Sequence, residues 1–235
     1  MKLNTNSNTY ILAYASLLVI AVAFVLAYFS QALKPIQDKN VALDKKKQII
    51  AALNIRDVND NQVEEYYNKL VEADEIINEK NVVLSAGKPG GENDGFKLNG
   101  GDFKAGKLAL FVCNVDGQKK YVMPVYGMGL WGGISGYIAI NADKETIYGV
   151  YFNHEGETAG LGAEIKDNQK WQQQFCGKHL FADGNQDAVA LSVCKKVDNP
   201  ATQVDGVSGA TLTCDGVTRM IHEGLGKYLV FLKDK

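Results

Sequence analysis

Four hydroxyls, those of Ser208, Thr211, Thr213 and Thr218, fall within eleven residues of the stretch DGVSGATLTCDGVT (205–218). A run with helical periodicity follows them. The N-terminus of a helix carries amides without intrahelical partners and the positive end of the dipole, so it favours a phosphate. Gly209 and Ala210 allow a ligand to approach the backbone closely. Ser, Thr and Asp are also the ordinary N-cap residues. By residue chemistry alone the plain cap is the commoner outcome, and the four hydroxyls cannot be ranked.

Two other segments have the composition of a ligand site. In GETAGLGAEI (156–165), Gly156, Gly160 and Gly162 expose backbone amides around Leu161, which could lie against a flat ring. In YGMGLWGG (126–133), Gly127 and Gly129 precede Leu130 and Trp131, a pattern that suits the edge of a planar ligand. Taken singly, a GLG triplet is most often a turn, and Trp131 would serve equally in a core.

Other chemistries are not written in the chain. His154, His179 and His222 form no HxH or HExxH pattern, and Cys113, Cys176, Cys194 and Cys214 form no CxxC, so no metal site is assigned. No Ser-His-Asp arrangement, GxGxxG fingerprint or phosphate-binding GxxxxGK[ST] is legible. A formal net charge of −2 gives no basic bias toward nucleic acid.

The elements that must position these segments divide sharply by glycine. None of the 24 glycines precedes Gly87. The first part is therefore expected to be helical and the second rich in strands and turns. YILAYASLLVIAVAFVLAYF (10–29) is uncharged, with Ser16 its only strongly polar member, and has about the length that spans ~30 Å of hydrocarbon. A cleaved signal peptide would carry a shorter apolar core of about 7–15 residues. The reading is a transmembrane helix over 10–31, after a tail at 1–9. A positive-inside count sets Lys2 against Lys34, Lys39, Lys45, Lys46 and Lys47, and puts the larger domain in the cytoplasm.

A helical membrane-proximal segment is expected over 32–81. It includes residues 42–55 and an amphipathic helix over 57–80, whose Val63, Tyr66, Tyr67, Leu70 and Val71 follow helical spacing. The remainder, 82–235, reads as an α+β domain. It opens with a glycine-rich surface loop (86–101). Strands follow at 107–115, 121–127, 136–142 and 146–154, forming an antiparallel meander. A helix at 168–180, a strand at 188–196 and a terminal helix over about 213–232 complete it. Val217, Met220, Ile221, Leu225, Tyr228, Leu229 and Leu232 line one face of that last helix.

Together the three glycine-bearing segments resemble the flavin-binding domain family whose FMN is covalently attached to threonine. Its signature, Asp-x-x-(Ser/Thr)-Gly-Ala-Thr, is met by Asp205, Ser208, Gly209, Ala210 and Thr211. More narrowly, the chain resembles almost end to end the C-subunit family of the Na+-translocating NADH:quinone oxidoreductases (Nqr). NVALDKKKQII, MPVYGMGLWG, GETAGLGAEI and VDGVSGATLT carry that resemblance, with Ala159 standing where the family usually has proline.

The resemblance implies a phosphoester from FMN to Thr211, with Thr213 and Ser208 less suited to attachment. It places Glu157, Thr158, Gly160, Leu161 and Gly162 at the flavin, flanked by Gly129, Leu130 and Trp131. It further implies a single-pass protein of the bacterial inner membrane, with its flavin domain in the periplasm, opposite to the lysine count. The expected partners are the A, B, D, E and F chains of the same complex, membrane lipid, and an FMN transferase that uses FAD. Electrons would pass from an iron–sulfur centre to a second flavin and finally to quinone. The alternatives are the homologous G component of the Rnf ferredoxin:NAD+ oxidoreductase and a membrane-anchored binding module without flavin.

Overall fold

The computed structural model describes residue 5, residues 7–183 and residues 185–234. Lys2 and most of the 1–9 tail lie outside the described residues, as does the last residue of the 82–235 domain. The chain forms two units, one ending at Asp44 and the other running from Lys45 to Lys235.

The first unit is helical. Helix α1 runs from Asn8 to Ala52, so its last residues belong to the second unit. It is one continuous helix through Pro35, where the sequence reads as two. Its apolar part is long and apolar enough to cross a membrane, and none of it is buried within the chain.

The second unit is built on a six-stranded antiparallel sheet of order β2-β1-β3-β4-β5-β6. Its strands are β1 (Val71–Asn78), β2 (Val83–Ser85), β3 (Lys107–Val115), β4 (Gln118–Met128), β5 (Gly133–Asn141) and β6 (Ile147–His154). The β3 to β6 meander is the expected one. Asp116 and Gly117, at φ 52° and 80°, make the β3–β4 turn, because both central residues of such a tight hairpin need the left-handed region.

A second layer covers one sheet face. Helix α6 (Thr211–Gly226) and helix α7 (Leu229–Lys233) set Val217, Met220, Ile221, Leu225, Tyr228 and Leu232 into a core with Leu110, Met123, Val125, Ile138 and Ile140. The single helix expected over 213–232 thus breaks after Gly226. Short helices α4 (Glu164–Asp167) and α5 (Gln169–Gln173) contribute Ile165 and Trp171 to the same core. The helix expected over 168–180 is confined to α5, N-capped by the Asn168 side chain at 3.1 Å. The strand expected at 188–196 shortens to β7 (Ser192–Cys194). It pairs in parallel with β8 (Gln203–Asp205), which delivers the chain to the start of α6.

The helix expected over 57–80 is corrected. Only α2 (Val63–Leu70) is helical, and at Val71 the chain becomes β1. The buried positions Val71, Asp74 and Ile77 lie three apart, which imitates a helical stripe. In a strand, residues an odd number apart face opposite sides. Both sides of this sheet are covered, so Asp74 and Ile77 are buried on opposite faces. The surface loop expected at 86–101 is also corrected. It forms a 3-10 turn (Gly95–Lys97) and α3 (Gly100–Lys104), and it buries Gly91, Gly95 and Phe96. Phe96 packs edge-on against Tyr67 of α2 at 5.6 Å.

Candidate functional site

Three segments converge where β4, β6 and α6 end or begin. They are the β4–β5 turn with Gly129, Leu130 and Trp131, the loop after β6 that carries residues 155–163, and the first turn of α6. Their meeting point is the carboxylate of Glu157, which is buried. Its Oε1 accepts the Trp131 amide at 2.9 Å, and its Oε2 accepts the Thr213 hydroxyl at 2.6 Å. One side chain therefore ties all three segments together.

Burial by itself would raise the Glu157 pKa. The hydrogen bonds from Thr213, Trp131 and Leu130 outweigh burial and hold it below the ordinary carboxylate value. Such bonds to an ionised group contribute about 1.5–3 kcal/mol each.

The glycines of the motifs make this junction possible. A Cβ on Gly129 would come within 2.4 Å of Glu157 Oε1, and one on Gly162 within 2.4 Å of Glu157 Oε2. A Cβ on Gly216 would fall 2.5 Å from the Met128 carbonyl, so α6 approaches the end of β4 only because that side chain is missing. Gly209 sits at φ 76°, and Leu161 lies directly over it.

The turn into α6 is held by its backbone. The Asp205 carbonyl accepts Trp171 Nε1–H at 2.7 Å, the Val207 amide donates to Cys214 Sγ at 3.2 Å, and the Ala210 amide donates to the Val207 carbonyl at 3.1 Å. Ala210 is the N-cap, and no side chain caps the helix. The plain cap that the residue types favour is therefore not formed. The first-turn amides of α6 are left without a capping side chain, the condition under which a helix end receives an anion.

The four hydroxyls separate clearly. Thr213 is 1% exposed and committed to Glu157. Thr218 Oγ1 accepts the Val193 amide at 2.9 Å and donates to the Val193 carbonyl at 3.3 Å. Ser208 and Thr211 are exposed. Around Thr211, large apolar side chains also face outward: Leu130, Leu161 and, more strongly, Trp131 at 69% and Leu212 at 58%. Thr158 holds its loop through its carbonyl, which accepts the amides of Leu161 and Ala163, and Gly160 adopts φ 73° in open space.

Thus Gly129, Trp131, Glu157 and Gly162 are drawn together with Thr213, and Leu161 with Gly209. Leu130, Thr158, Gly160, Ser208 and Thr211 ring them at the surface. Thr213, His154, Met128 and Leu212 complete the surroundings, and of these the sequence raised only Thr213 as a candidate, one of four hydroxyls it could not rank. Thr213 and Leu212 lie inside the SGATLT stretch. His154 has no sequence signal beyond its place three residues before Glu157.

An uncapped helix end, an exposed hydroxyl on it and outward apolar side chains are together what a phosphate joined to a planar ring requires. A family model described as FMN-binding domain matches residues 129–226, from the β4–β5 turn to the end of α6. Over 99% of its length the chain is 31% identical to the C subunit of the Na(+)-translocating NADH-quinone reductase of Haemophilus ducreyi, covering 97% of that protein. Among solved structures it is similar to the C subunit of the same reductase from Parabacteroides distasonis, with 36% identity and a TM-score of 0.78 over 86% of this chain and 98% of that one. It is also similar to NqrC of Shewanella oneidensis, with 27% identity and a TM-score of 0.65 over 83% of this chain and all (100%) of that one. The agreement runs through most of the chain, and the chain belongs to the NqrC family, the C subunits of Na+-translocating NADH-quinone reductases.

Proposed function

We propose that this chain is the flavoprotein component that carries electrons within a membrane-bound, Na+-translocating NADH:quinone reductase, with FMN joined by a phosphoester to Thr211. The observation that carries the reading is the division among the hydroxyls. Thr213 and Thr218 are engaged inside the fold, whereas Thr211 stands exposed at the uncapped start of α6. Ser208 is exposed too, but it lies before the helix, away from the end where first-turn amides favour a phosphate.

When bound, FMN supplies the one-electron and two-electron chemistry. The chain's own residues hold and shape the site. Glu157 fixes the spacing of the three segments, and the glycines bring backbone close. Leu130, Trp131, Leu161 and Leu212 offer apolar surface to a ring system. A covalent tether removes dissociation as a way of emptying the site. Attachment follows from transfer of FMN out of FAD: the Thr211 oxygen takes the phosphoryl group, AMP leaves and the hydroxyl proton passes to solvent.

In this reading α1 anchors the chain in the inner membrane, and the flavin domain faces the periplasm, where the transferase acts. Electrons arrive from an iron–sulfur centre in neighbouring chains of the complex and leave for a second flavin. The partners are the A, B, D, E and F chains, and NADH binds elsewhere in the complex, in keeping with the missing dinucleotide fingerprint.

The test is a denaturing gel of full-length protein made with its transferase. The band is expected to fluoresce under illumination, and the peptide containing Thr211 to gain the mass of FMN less water. A dark band would sink the covalent tether, and a native protein without flavin absorption as well would leave the flavin-free binding module.

A further inference from the structure

His154 closes β6, and its ring already serves the site with one nitrogen: Nδ1 accepts the Glu157 amide at 3.2 Å. In the neutral imidazole the proton then sits on Nε2. That nitrogen is buried and has no hydrogen-bond partner among the described residues. Buried donors are rarely left so. His154 also lines a groove of about 730 Å³, together with Met128, Gly133, Glu155, Arg219 and Met220. Asn153, another residue of this groove, has a buried Oδ1 that likewise has no partner among the described residues.

The groove adjoins the site described above. Met128 immediately precedes Gly129, is 64% exposed, and continues the apolar surface of Leu130 and Trp131. Only one residue, Glu157, separates His154 from the first turn of α6, since it touches both His154 and Thr213. A group attached to Thr211 through a flexible polyol chain can therefore bring a ring to this groove. The ring must present an acceptor to the histidine. The pyrimidine edge of an isoalloxazine has carbonyl oxygens on either side of an N–H, and so carries acceptors together with a donor.

We propose that His154 is a flavin-contacting residue, its Nε2–H donating to a carbonyl oxygen on the pyrimidine edge of the ring tethered at Thr211. The assignment rests on the tether reading. A donor at that oxygen favours electron density on the ring and raises the reduction potential, so His154 tunes the flavin while its other nitrogen positions Glu157.

The experiment uses the full-length chain produced with the flavin transferase, as wild type, His154→Leu and His154→Gln. Both variants are expected to keep the fluorescent band. His154→Leu should shift the flavin absorption band and lower the midpoint potential, whereas His154→Gln, which retains a donor, should stay near wild type in both. A loaded His154→Leu protein with unchanged absorption and potential overturns the proposal.

If His154→Leu fails to fold or load, wild-type protein labelled with 15N-histidine decides the matter. The Nε2–H resonance of His154 should shift and exchange more slowly in flavinylated protein than in protein made without the transferase. Identical behaviour in the two overturns the contact. A dark wild-type band would instead sink the tether reading, and it would be seen before any His154 variant is made.

Discussion

Two regions of this protein wrap glycine-rich chain around a buried carboxylate, and they do so to different ends. In the first, Asp74 of β1 is wholly buried (0% exposed) and accepts the amides of Lys88, Asp94 and Phe96 at 3.0–3.3 Å. Gly87 and Gly95 press against the Asp74 backbone, and Gly91 against its carboxylate. The loop folds inward, with Phe96 buried above it. In the second, Glu157 accepts the Trp131 amide at 2.9 Å together with the Thr213 hydroxyl at 2.6 Å. The segments it joins turn large apolar side chains outward. The first carboxylate closes a loop, while the second holds three segments at the spacing of an open mouth. Glycine content alone does not separate a structural loop from a ligand site. What separates them is whether the residues between the glycines point in or out.

The largest expected effect lies in the open region. Thr211→Ala should remove in-gel flavin fluorescence altogether, whereas Thr213→Ala should keep the band and lose about 1–3 kcal/mol of stability, because a Glu157 oxygen is left unpaired. A fluorescent Thr211→Ala band would move the attachment point elsewhere.

Asp74→Ala tests the closed region. Three amides, that of Phe96 buried and those of Lys88 and Asp94 partly so, lose their acceptor, and urea unfolding should show a loss of about 3 kcal/mol. The protein that remains folded should still load flavin. Failure to load would mean that the two regions are coupled.

Glu157→Gln sharpens the contrast. Its amide nitrogen cannot accept, so at least one of the donors among Thr213, Trp131 and Leu130 goes unpaired, at about 1–3 kcal/mol. Unlike any change at Asp74, it should also alter the absorption of the bound flavin, measured on the loaded protein.

Acid provides a fourth comparison. The folded Glu157 titrates below its ordinary value of 4.5, so its stabilisation is complete above that pH and disappears as pH falls through the lower, folded value. Wild type should therefore lose stability on the acid side more steeply than Glu157→Gln, read from urea midpoints against pH. Parallel curves would show that the carboxylate is not held by these bonds.

The smallest effects separate crowding from backbone strain. Gly160→Ala meets nothing within 4 Å and suffers only the left-handed φ of 73°, so about 1 kcal/mol is expected from thermal unfolding. Gly129→Ala should lose more, and should lose flavin loading as well, since its Cβ must displace the Glu157 carboxylate.

The fold was legible in the sequence where a local signal agrees with the burial. The strands from β3 to β6 were legible as short apolar runs bounded by turn residues, and α6 because its apolar positions repeat along one buried face. The stretch 71–78 was not, because a strand covered on both faces shows burial at spacings that a helix also produces. The inward fold of 86–101 was hidden for a related reason. Its organiser, Asp74, is an acidic residue lying outside the loop, and no local pattern marks a carboxylate that will be buried among amides.

At the site, the identity of the segments came from residue types at fixed spacing, and the ranking of the hydroxyls did not. The run from Asp205 to Thr211, the GLG loop and the GLW turn could be named from the chain alone, because glycine, hydroxyl and aromatic residues each have narrow physical uses. The apolar stretch near the N-terminus was likewise set by composition and length. Only the tertiary structure decided that Glu157 joins three segments distant in sequence, that Thr213 and Thr218 are taken inside, and that α6 begins without a cap. Those outcomes depend on which groups meet once the sheet and α6 have packed, and a hydrogen bond between residues fifty-six apart leaves no periodicity to read.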